Sequence, residues 1–409
     1  MLKSHLPKDP SGHYIYMEII GSGNFSTVYR AIHAICKHEV AIKVITKDKF
    51  PPEKFQRELS ILQLVNHPFI VHFFEFFEDD FYYYLVMEYI QGENLFNLLN
   101  ASGALPIWLC RHYFAELVSA IDYLHNELHI VHRDLKIDNI MIDQFNNIRL
   151  IDFGFGNIIR DKEGFLQSAC GSLEFAPPEM FVKNQYTSCA DMWSLGVCLY
   201  CLTLGRLPFE DKNIQLLIEK IISQDPFYPP TQNPDLTDLL RRLLMKEQSV
   251  RINITSVQQH PWFLLYPFAK KMNSKFGSAS IWNSTDPKTF IPDPQIIREI
   301  RKLNIDPEPS INGYKQNTFD YSTAIYRILV VELLTSSMSE ITDLIEKEEQ
   351  RGKKLSQSGN DNFGYSAKAK RSMPSIQTQM LAATVVIRKK PVRNYNARLR
   401  HRSNPLSFS

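Results

Sequence analysis

Apolar and polar positions alternate from Tyr14 to Val44 around a glycine-containing turn, the pattern of two antiparallel strands. From Pro52 to Val65 the period changes. Phe55, Leu59 and Leu62 recur at helical spacing, and a helix is predicted there. Pro68 to Tyr84 is crowded with aromatics, among them Phe69, Phe73, Phe74, Phe76, Phe77 and Phe81 and three consecutive tyrosines. No Lys or Arg interleaves them, so they read as sheet core rather than as a stacking platform for bases. Leu105 to Asn126 predicts an amphipathic helix, and two β-like stretches follow, Ile140 to Ile142 and Ile148 to Ile151. The most apolar run, Leu195 to Leu204, is too short to span a bilayer and reads as a buried core helix.

The texture changes after Phe263. Residues 264–292 spread Ser, Asn and Pro through the chain and read as a linker. Asp293-Pro294-Gln295 then caps a helix carrying Ile296, Ile297, Ile300 and Leu303, and Asp306-Pro307 restarts the chain. A third helix, from about Tyr321 to Leu334, sets Ala324, Ile325, Ile328 and Leu329 on one face. These make a three-helix region over 293–334. Residues 335–409 read as a charged helix followed by a mostly disordered basic tail.

At 409 residues, 44% of them apolar, the chain has material for two to three domains and a large core. The six cysteines show no pairing pattern beyond Cys198/Cys201, which falls in an apolar run, and Met1 to Pro10 lacks an apolar leader core. Reduced thiols and a cytoplasmic or nuclear protein are the expectation. The net charge of +2 hides an asymmetry. From Arg351 onward 13 Lys/Arg face one acid, Asp361, of 46 basic and 44 acidic residues in all, so 33 basic and 43 acidic residues precede it. A tail of this charge is suited to anionic lipid, nucleic acid or import factors, to the acidic body itself, or simply to solvent. No specific nucleic-acid binding is predicted.

The chemistry concentrates in His132-Arg133-Asp134-Leu135-Lys136-Ile137-Asp138-Asn139, followed by Asp152-Phe153-Gly154. Two acids, a lysine and an amide stand close together there, a set suited to moving a phosphoryl group. Asp134 can take the proton of an attacking hydroxyl and Lys136 can neutralise the migrating group. Asn139 and Asp152 offer hard oxygen ligands to Mg²⁺. In this order, with β-like stretches between them, the two motifs resemble the catalytic and metal-binding loops of a eukaryotic protein kinase of the serine/threonine type.

That resemblance spans Tyr14 to Phe263 and implies an α+β, bilobal protein kinase fold with a β-rich small lobe, a helical large lobe and ATP with Mg²⁺ between them. The glycine turn would cover the phosphates with Ile20, Gly21, Ser22, Gly23, Asn24, Phe25 and Ser26, the last in place of the family's third glycine. Val28, Ala41 and Met141 would sandwich adenine, and the backbone of Glu88, Tyr89 and Ile90 would hold its edge behind Met87. Lys43, in Val40-Ala41-Ile42-Lys43, would pair with the α- and β-phosphates and with Glu58. Leu62, Phe73, His132 and Phe153 would form an internal apolar column. Glu179 would pair with Arg251, and Asp191 would hold the catalytic-loop backbone. Ser168 falls at the usual activating phosphosite with Arg133 as its cationic partner, and Ser172 where the family bonds the catalytic Asp and Lys. Protein substrates bearing Ser or Thr and an upstream activating kinase are the implied partners.

The strings Asp152 to Asn157, Cys170-Gly171-Ser172 and Asp191 to Val197 resemble the calcium/calmodulin-dependent group, AMP-activated-kinase-like branch. In that branch the three-helix region would be ubiquitin-associated-like, a plain helical extension being the alternative. Departures are Pro177 before the Pro-Glu, Asn94 where many relatives have an acid, and Cys201 in place of a possible acidic contact. Glu93 is one step off, which leaves a preference for arginine before the phosphoacceptor weakly supported, with Asp138 its main acid. A small-molecule kinase and a pseudokinase scaffold compete with this reading. Neither explains the activation-segment motifs together with intact Lys43, Asp134 and Asp152.

Overall fold

The computed structural model describes residues 9–23, 25–152, 173–182, 187–266 and 290–336. Its first part is a five-stranded antiparallel sheet of β1 (Tyr14–Ser22), β2 (Ser26–His33), β3 (Glu39–Thr46), β4 (Phe73–Glu78) and β5 (Tyr82–Glu88), in the spatial order β1-β2-β3-β5-β4. Central β3 is apolar at nearly every position because both of its faces are covered. Val40, Ile42 and Val44 face one cluster, whereas Ile45 joins the main core, with Ala41 and Lys43 turned to an interlobe cavity. Helix α1 (Pro52–Leu64) buries Phe55, Glu58, Leu59 and Leu62, the face its periodicity predicts plus one acid.

A small sheet of β6 (Gly92–Asn94), β7 (Ile140–Asp143) and β8 (Ile148–Leu150) joins the two lobes. Its strands approach closely at Gly92, where a Cβ would lie 1.8 Å from the Ile142 carbonyl oxygen, so a side chain cannot be placed there. The large lobe is helical: α2 (Leu95–Ser102), α3 (Ile107–Asp122), α4 (Pro178–Val182), α5 (Ser188–Leu204), α6 (Ile214–Ser223), α7 (Pro234–Leu243), α8 (Ile254–Gln258) and α9 (Pro261–Leu264). Sequence reading expects α3 to be amphipathic, but it is buried on nearly every side. The lobe packs around it and around α5, and the two carry polar groups inward with partners: His112 Nδ1 lies 2.7 Å from the Tyr266 hydroxyl, and Glu116 accepts from the Ile148 N–H at 2.8 Å. No helix among the described residues is long and apolar enough to cross a membrane.

Three further helices follow, α10 (Pro294–Lys302), α11 (Pro307–Lys315) and α12 (321–336). Each begins at an aspartate whose carboxylate accepts a first-turn N–H: Asp293 from Gln295 at 2.7 Å, Asp306 from Glu308 at 3.1 Å and Asp320 from Thr323 at 3.0 Å. Helix α12 lies on the outer face of the five-stranded sheet, where Ala324, Ile328 and Val331 meet Tyr14, Val40, Ile42, Val44 and Phe74. The Tyr321 ring stacks between His13 at 3.5 Å and His33 at 4.8 Å, and Glu332 pairs with His38 at 2.9 Å.

Glu179 and Arg251 form a bidentate pair, Nη1 to Oε1 at 2.7 Å and Nη2 to Oε2 at 2.8 Å, with both side chains almost fully buried. The guanidinium also donates to the carbonyls of Met245, Lys246 and Cys189. A charge enclosed this way depends on its partner. Glu179→Gln is therefore expected to destabilise the fold by about 3 kcal/mol, read as a lower urea midpoint at unchanged slope.

Candidate active site

The catalytic loop is shaped by one buried carboxylate. Asp191, in the first turn of α5, accepts from the His132 N–H at 2.7 Å with Oδ2 and from the Arg133 N–H at 2.9 Å with Oδ1. His125 Nε2 lies 2.8 Å from the same Oδ2. Converging two successive N–H groups on one acid takes Arg133 to φ 71, in the left-handed region that non-glycine residues seldom enter. Asp134 follows directly. Lys136 Nζ is 3.1 Å and 2.9 Å from its two carboxylate oxygens, and Asn139 Nδ2 donates to its main-chain oxygen and to Oδ2, each at 2.9 Å. Asn139 thus spends its nitrogen on Asp134 and keeps its amide oxygen for a cation.

Asp152 ends the strand pair β7–β8, at φ 68. Lys43 reaches it from the middle of β3, Nζ to Oδ1 at 2.9 Å. Burial pushes the Asp152 carboxyl up, but the charge and hydrogen bond of Lys43 outweigh that and hold it below the usual carboxylate range, with Lys136 and His132 adding to the effect. The donor set of Asp152 and Asn139, one ionised carboxylate and one amide oxygen, fits a hard divalent cation.

Lys43 does not pair with Glu58 in this form. The Glu58 carboxyl is 3% exposed, and neither of its oxygens has a hydrogen-bond partner among the described residues. Burial raises its pKa to about 8 despite the lowering pull of Lys54 and Lys43. The physical reason is competition. Asp152 offers Lys43 an ionised partner in contact, so Glu58 stays protonated among apolar neighbours.

A cavity of about 330 Å³ lies between the lobes. Ile20, Gly21, Val28 and Ala41 line it from the sheet, Met141 and Ile151 from β7 and the end of β8, and Lys43 and Asp152 close one part of it. Glu88, Tyr89 and Ile90 border it where the chain passes between lobes, with Met87 beside them. Ten of the nucleotide- and metal-site residues expected from sequence therefore meet here. Ser22, Gly23, Phe25 and Ser26 do not line the cavity; they form the β1–β2 turn, closed by Gly23 N–H to Ser26 O at 2.8 Å. Asn24, Phe153, Ser168 and Ser172 lie outside the described residues.

Sequence reading missed Leu62, Val71, Gly92 and Ile151 as lining residues. Leu62 stands one helical turn after Glu58 on the same buried face, a signal that the helical period already carried. It also missed the role of the Glu88 side chain, which turns away to His72 Nδ1 at 2.8 Å and Arg149 Nε at 3.2 Å. Burial alone would raise Glu88, yet the Arg149 charge and the His72 hydrogen bond hold it well below the carboxylate range. Asn94 caps α2 by accepting from the Asn97 N–H at 2.8 Å, and Glu93 is half-buried with its pKa raised by that burial. Neither borders the cavity, so the missing acid at Asn94 is not replaced from one step away.

Glu58 generates a test by linkage. A carboxyl whose folded pKa is raised stabilises this fold when protonated, and that contribution is lost as pH climbs from the unfolded value near about 4.3 to the folded value. Glu58→Gln removes the titration. The melting temperature of Glu58→Gln minus that of the parent protein should grow from pH 5 and level off near the folded pKa of about 8. A difference that is flat across this range would show that Glu58 is not held as a buried neutral acid.

Comparison with known proteins agrees with this geometry. A family model described as a protein kinase domain matches residues 14–263. The chain is 33% identical over 335 residues to the serine/threonine-protein kinase SIK2 of Gallus gallus, covering 81% of this chain and 41% of that protein. It is 38% identical over 255 residues to the SNF1-related protein kinase catalytic subunit alpha KIN12 of Arabidopsis thaliana, covering 61% and 51%. It is 33% identical over 326 residues to SIK1 of Rattus norvegicus, covering 79% and 41%. The chain thus spans about half or less of the length of the relatives it matches. With that family match resting on the same residues that build the cavity and the catalytic loop, the chain belongs to the protein kinase family.

Proposed function

We propose that this protein transfers the γ-phosphoryl group of Mg-ATP to serine or threonine hydroxyls of protein substrates. The observation that carries the reading is the Asp134 carboxylate clasped by Lys136 and Asn139, with the Lys43–Asp152 pair on the wall of an apolar cavity. Adenine would lie between Val28, Ala41 and Met141, its edge on the backbone of Glu88 to Ile90. The β1–β2 turn from Ile20 to Ser26 would cover the phosphates. Asp134 orients the substrate hydroxyl and accepts its proton, Lys136 neutralises the γ-phosphoryl, and Lys43 takes the α- and β-phosphates. Asn139 and Asp152 would hold Mg²⁺, which when bound neutralises charge on the phosphates. Lys136, where tyrosine kinases have a different loop, favours Ser/Thr acceptors, and the relatives bear serine/threonine kinase names.

In that reading the form seen here is a resting one. Lys43 must leave Asp152 and engage Glu58 before metal and phosphates are both served. A phosphate on Ser168 read by Arg133 is the proposed switch, applied by an upstream kinase. The three helices over 293–336 are read as ubiquitin-associated-like and as biasing the lobe arrangement through α12. Residues 264–292 remain a linker and the basic tail a segment for anionic surfaces. The cysteines among the described residues form no disulfides, in keeping with a cytoplasmic or nuclear setting.

Transfer from γ-labelled Mg-ATP to a degenerate Ser/Thr peptide library is the direct assay. Asp134→Asn should lower turnover by at least about 100-fold at an unchanged melting temperature. Chelation of Mg²⁺ should abolish it reversibly. Ser168→Ala should keep the protein at its basal rate after treatment with an activating kinase. No transfer by the parent protein after such treatment would remove the catalytic reading and leave a scaffold.

A further inference from the structure

The loop between α11 and α12 inserts one side chain where the rest of the α12 interface does not reach. Phe319 packs against the main core, whereas the α12 residues Ala324, Ile328 and Val331 join the separate cluster on the outer face of the sheet. Its ring lies 5.2 Å from that of Phe73, tilted by 31°, and its carbonyl accepts from the Phe76 N–H at 3.4 Å. Strand β4 is the edge of the five-stranded sheet, so the carbonyl takes a donor that the sheet does not use there.

From β4 the contacts run onward to α1. The Phe76 ring is 5.3 Å from that of Phe55, and Phe55 stacks on Tyr83 at 3.8 Å. Phe55 stands one helical turn before Glu58 on the buried face of α1. Phe73 pairs in register with Met87, which borders the cavity. One inserted ring thus abuts both the strand beside the cavity and the strand against which α1 rests.

The loop is built to present that ring. Asn317 takes φ 55, and the Thr318 N–H donates to the Gly313 carbonyl at 2.9 Å. The Thr318 hydroxyl bonds Asp320 at 2.7 Å and Thr323 at 2.9 Å. A Cβ on Gly313 would lie 2.0 Å from the Thr323 hydroxyl, so only glycine permits this closure. Arg327 then lies 3.9 Å over the Phe319 ring and holds Asn317 Oδ1 at 2.8 Å and the Thr318 carbonyl at 3.2 Å. Bracing of this kind lowers the cost of ordering an inserted side chain.

We propose that Phe319 is a positioning residue for phosphoryl transfer: seated against Phe73 and β4, it holds α1 in the arrangement in which Lys43 binds Asp152 and Glu58 stands unpaired. The proposal rests on the reading of the cavity as a Mg-ATP site. It acts by population. A contact made in the resting form and loosened in the paired form favours the resting form by its own free energy, and an aromatic pair with a cation over one ring suffices for a shift of about three- to tenfold.

The test uses the full chain and two readouts, Mg-ATP affinity by calorimetry and turnover on the peptide library. Phe319→Ala should bind Mg-ATP about three- to tenfold more tightly and raise kcat by a similar factor. Phe319→Leu, which keeps an apolar plug, should stay within about twofold of the parent. In a Glu58→Gln background the gain from Phe319→Ala should vanish, because the effect passes through Glu58. Unchanged or weaker nucleotide binding in both Phe319 variants, or a gain that survives Glu58→Gln, overturns the proposal. Affinity is read without turnover, so failure of the catalytic reading appears separately, as a parent protein that binds Mg-ATP and transfers nothing.

Discussion

The lower half of the site depends on the first turn of α5. Asp191 gathers the His132 and Arg133 N–H groups and His125, and two residues earlier the Cys189 carbonyl takes the Arg251 guanidinium that also holds Glu179. The catalytic loop and the segment 173–182 are thus fastened to one helix end that is itself buried nearly all round. An unusual backbone at Arg133 costs on the order of 1–3 kcal/mol and persists only where its surroundings over-determine it. Two charge-assisted bonds to a buried carboxylate meet that condition. Asp134, Lys136 and Asn139 then have their separations set by backbone rather than by side-chain choice.

The upper half has no such fixture. Lys43 is one cation with two acids in reach of its charge, and only Asp152 is in contact. Glu58 can stay unpaired because protonation removes most of the penalty for burying it; an ionised, unpaired carboxylate in the same place would cost several kcal/mol. A buried neutral acid facing a salt-bridged lysine is a two-state arrangement, and α1 is the element that differs between the states. What bears on α1 from outside, including the packing of the α11–α12 loop on β4, therefore bears on the chemistry without touching it.

Much of this was legible in the sequence. Strand alternation, the all-apolar β3 and the helical face of α1 follow from local periods, and the Asp-Pro pairs mark the starts of α10 and α11 where the helices begin. The residues of the catalytic loop and cavity could be named because their types and spacing suit phosphoryl chemistry. Partner choice could not. Nothing local to Lys43 distinguishes Asp152 from Glu58, since the answer depends on where α1 sits. The amphipathic expectation for α3 failed for a related reason. Its polar face is real in sequence, yet His112 and Glu116 find buried partners more than thirty residues away along the chain. Cover of the outer sheet by α12 was likewise invisible, because apolar residues at helical spacing say that a face is buried without saying against what.

The cavity wall between the lobes is held by electrostatics that the motifs do not mention. Arg149 is 2% exposed and lies 3.2 Å from Glu88 and 3.3 Å from Asp143, so one buried cation links the chain crossing between lobes to the β7–β8 turn. Nearby Glu116 is driven well above its usual pKa by burial and stays neutral, which leaves Arg149 to Glu88 and Asp143. Arg149 stands on β8, three residues before Asp152. The backbone that would meet adenine and the carboxylate that would meet metal are therefore fixed to opposite ends of one short strand pair. With that distance set, closure of the site cannot come from the wall formed by Glu88 to Ile90 and β8. It has to come from α1 and β3, where Lys43 and Glu58 stand.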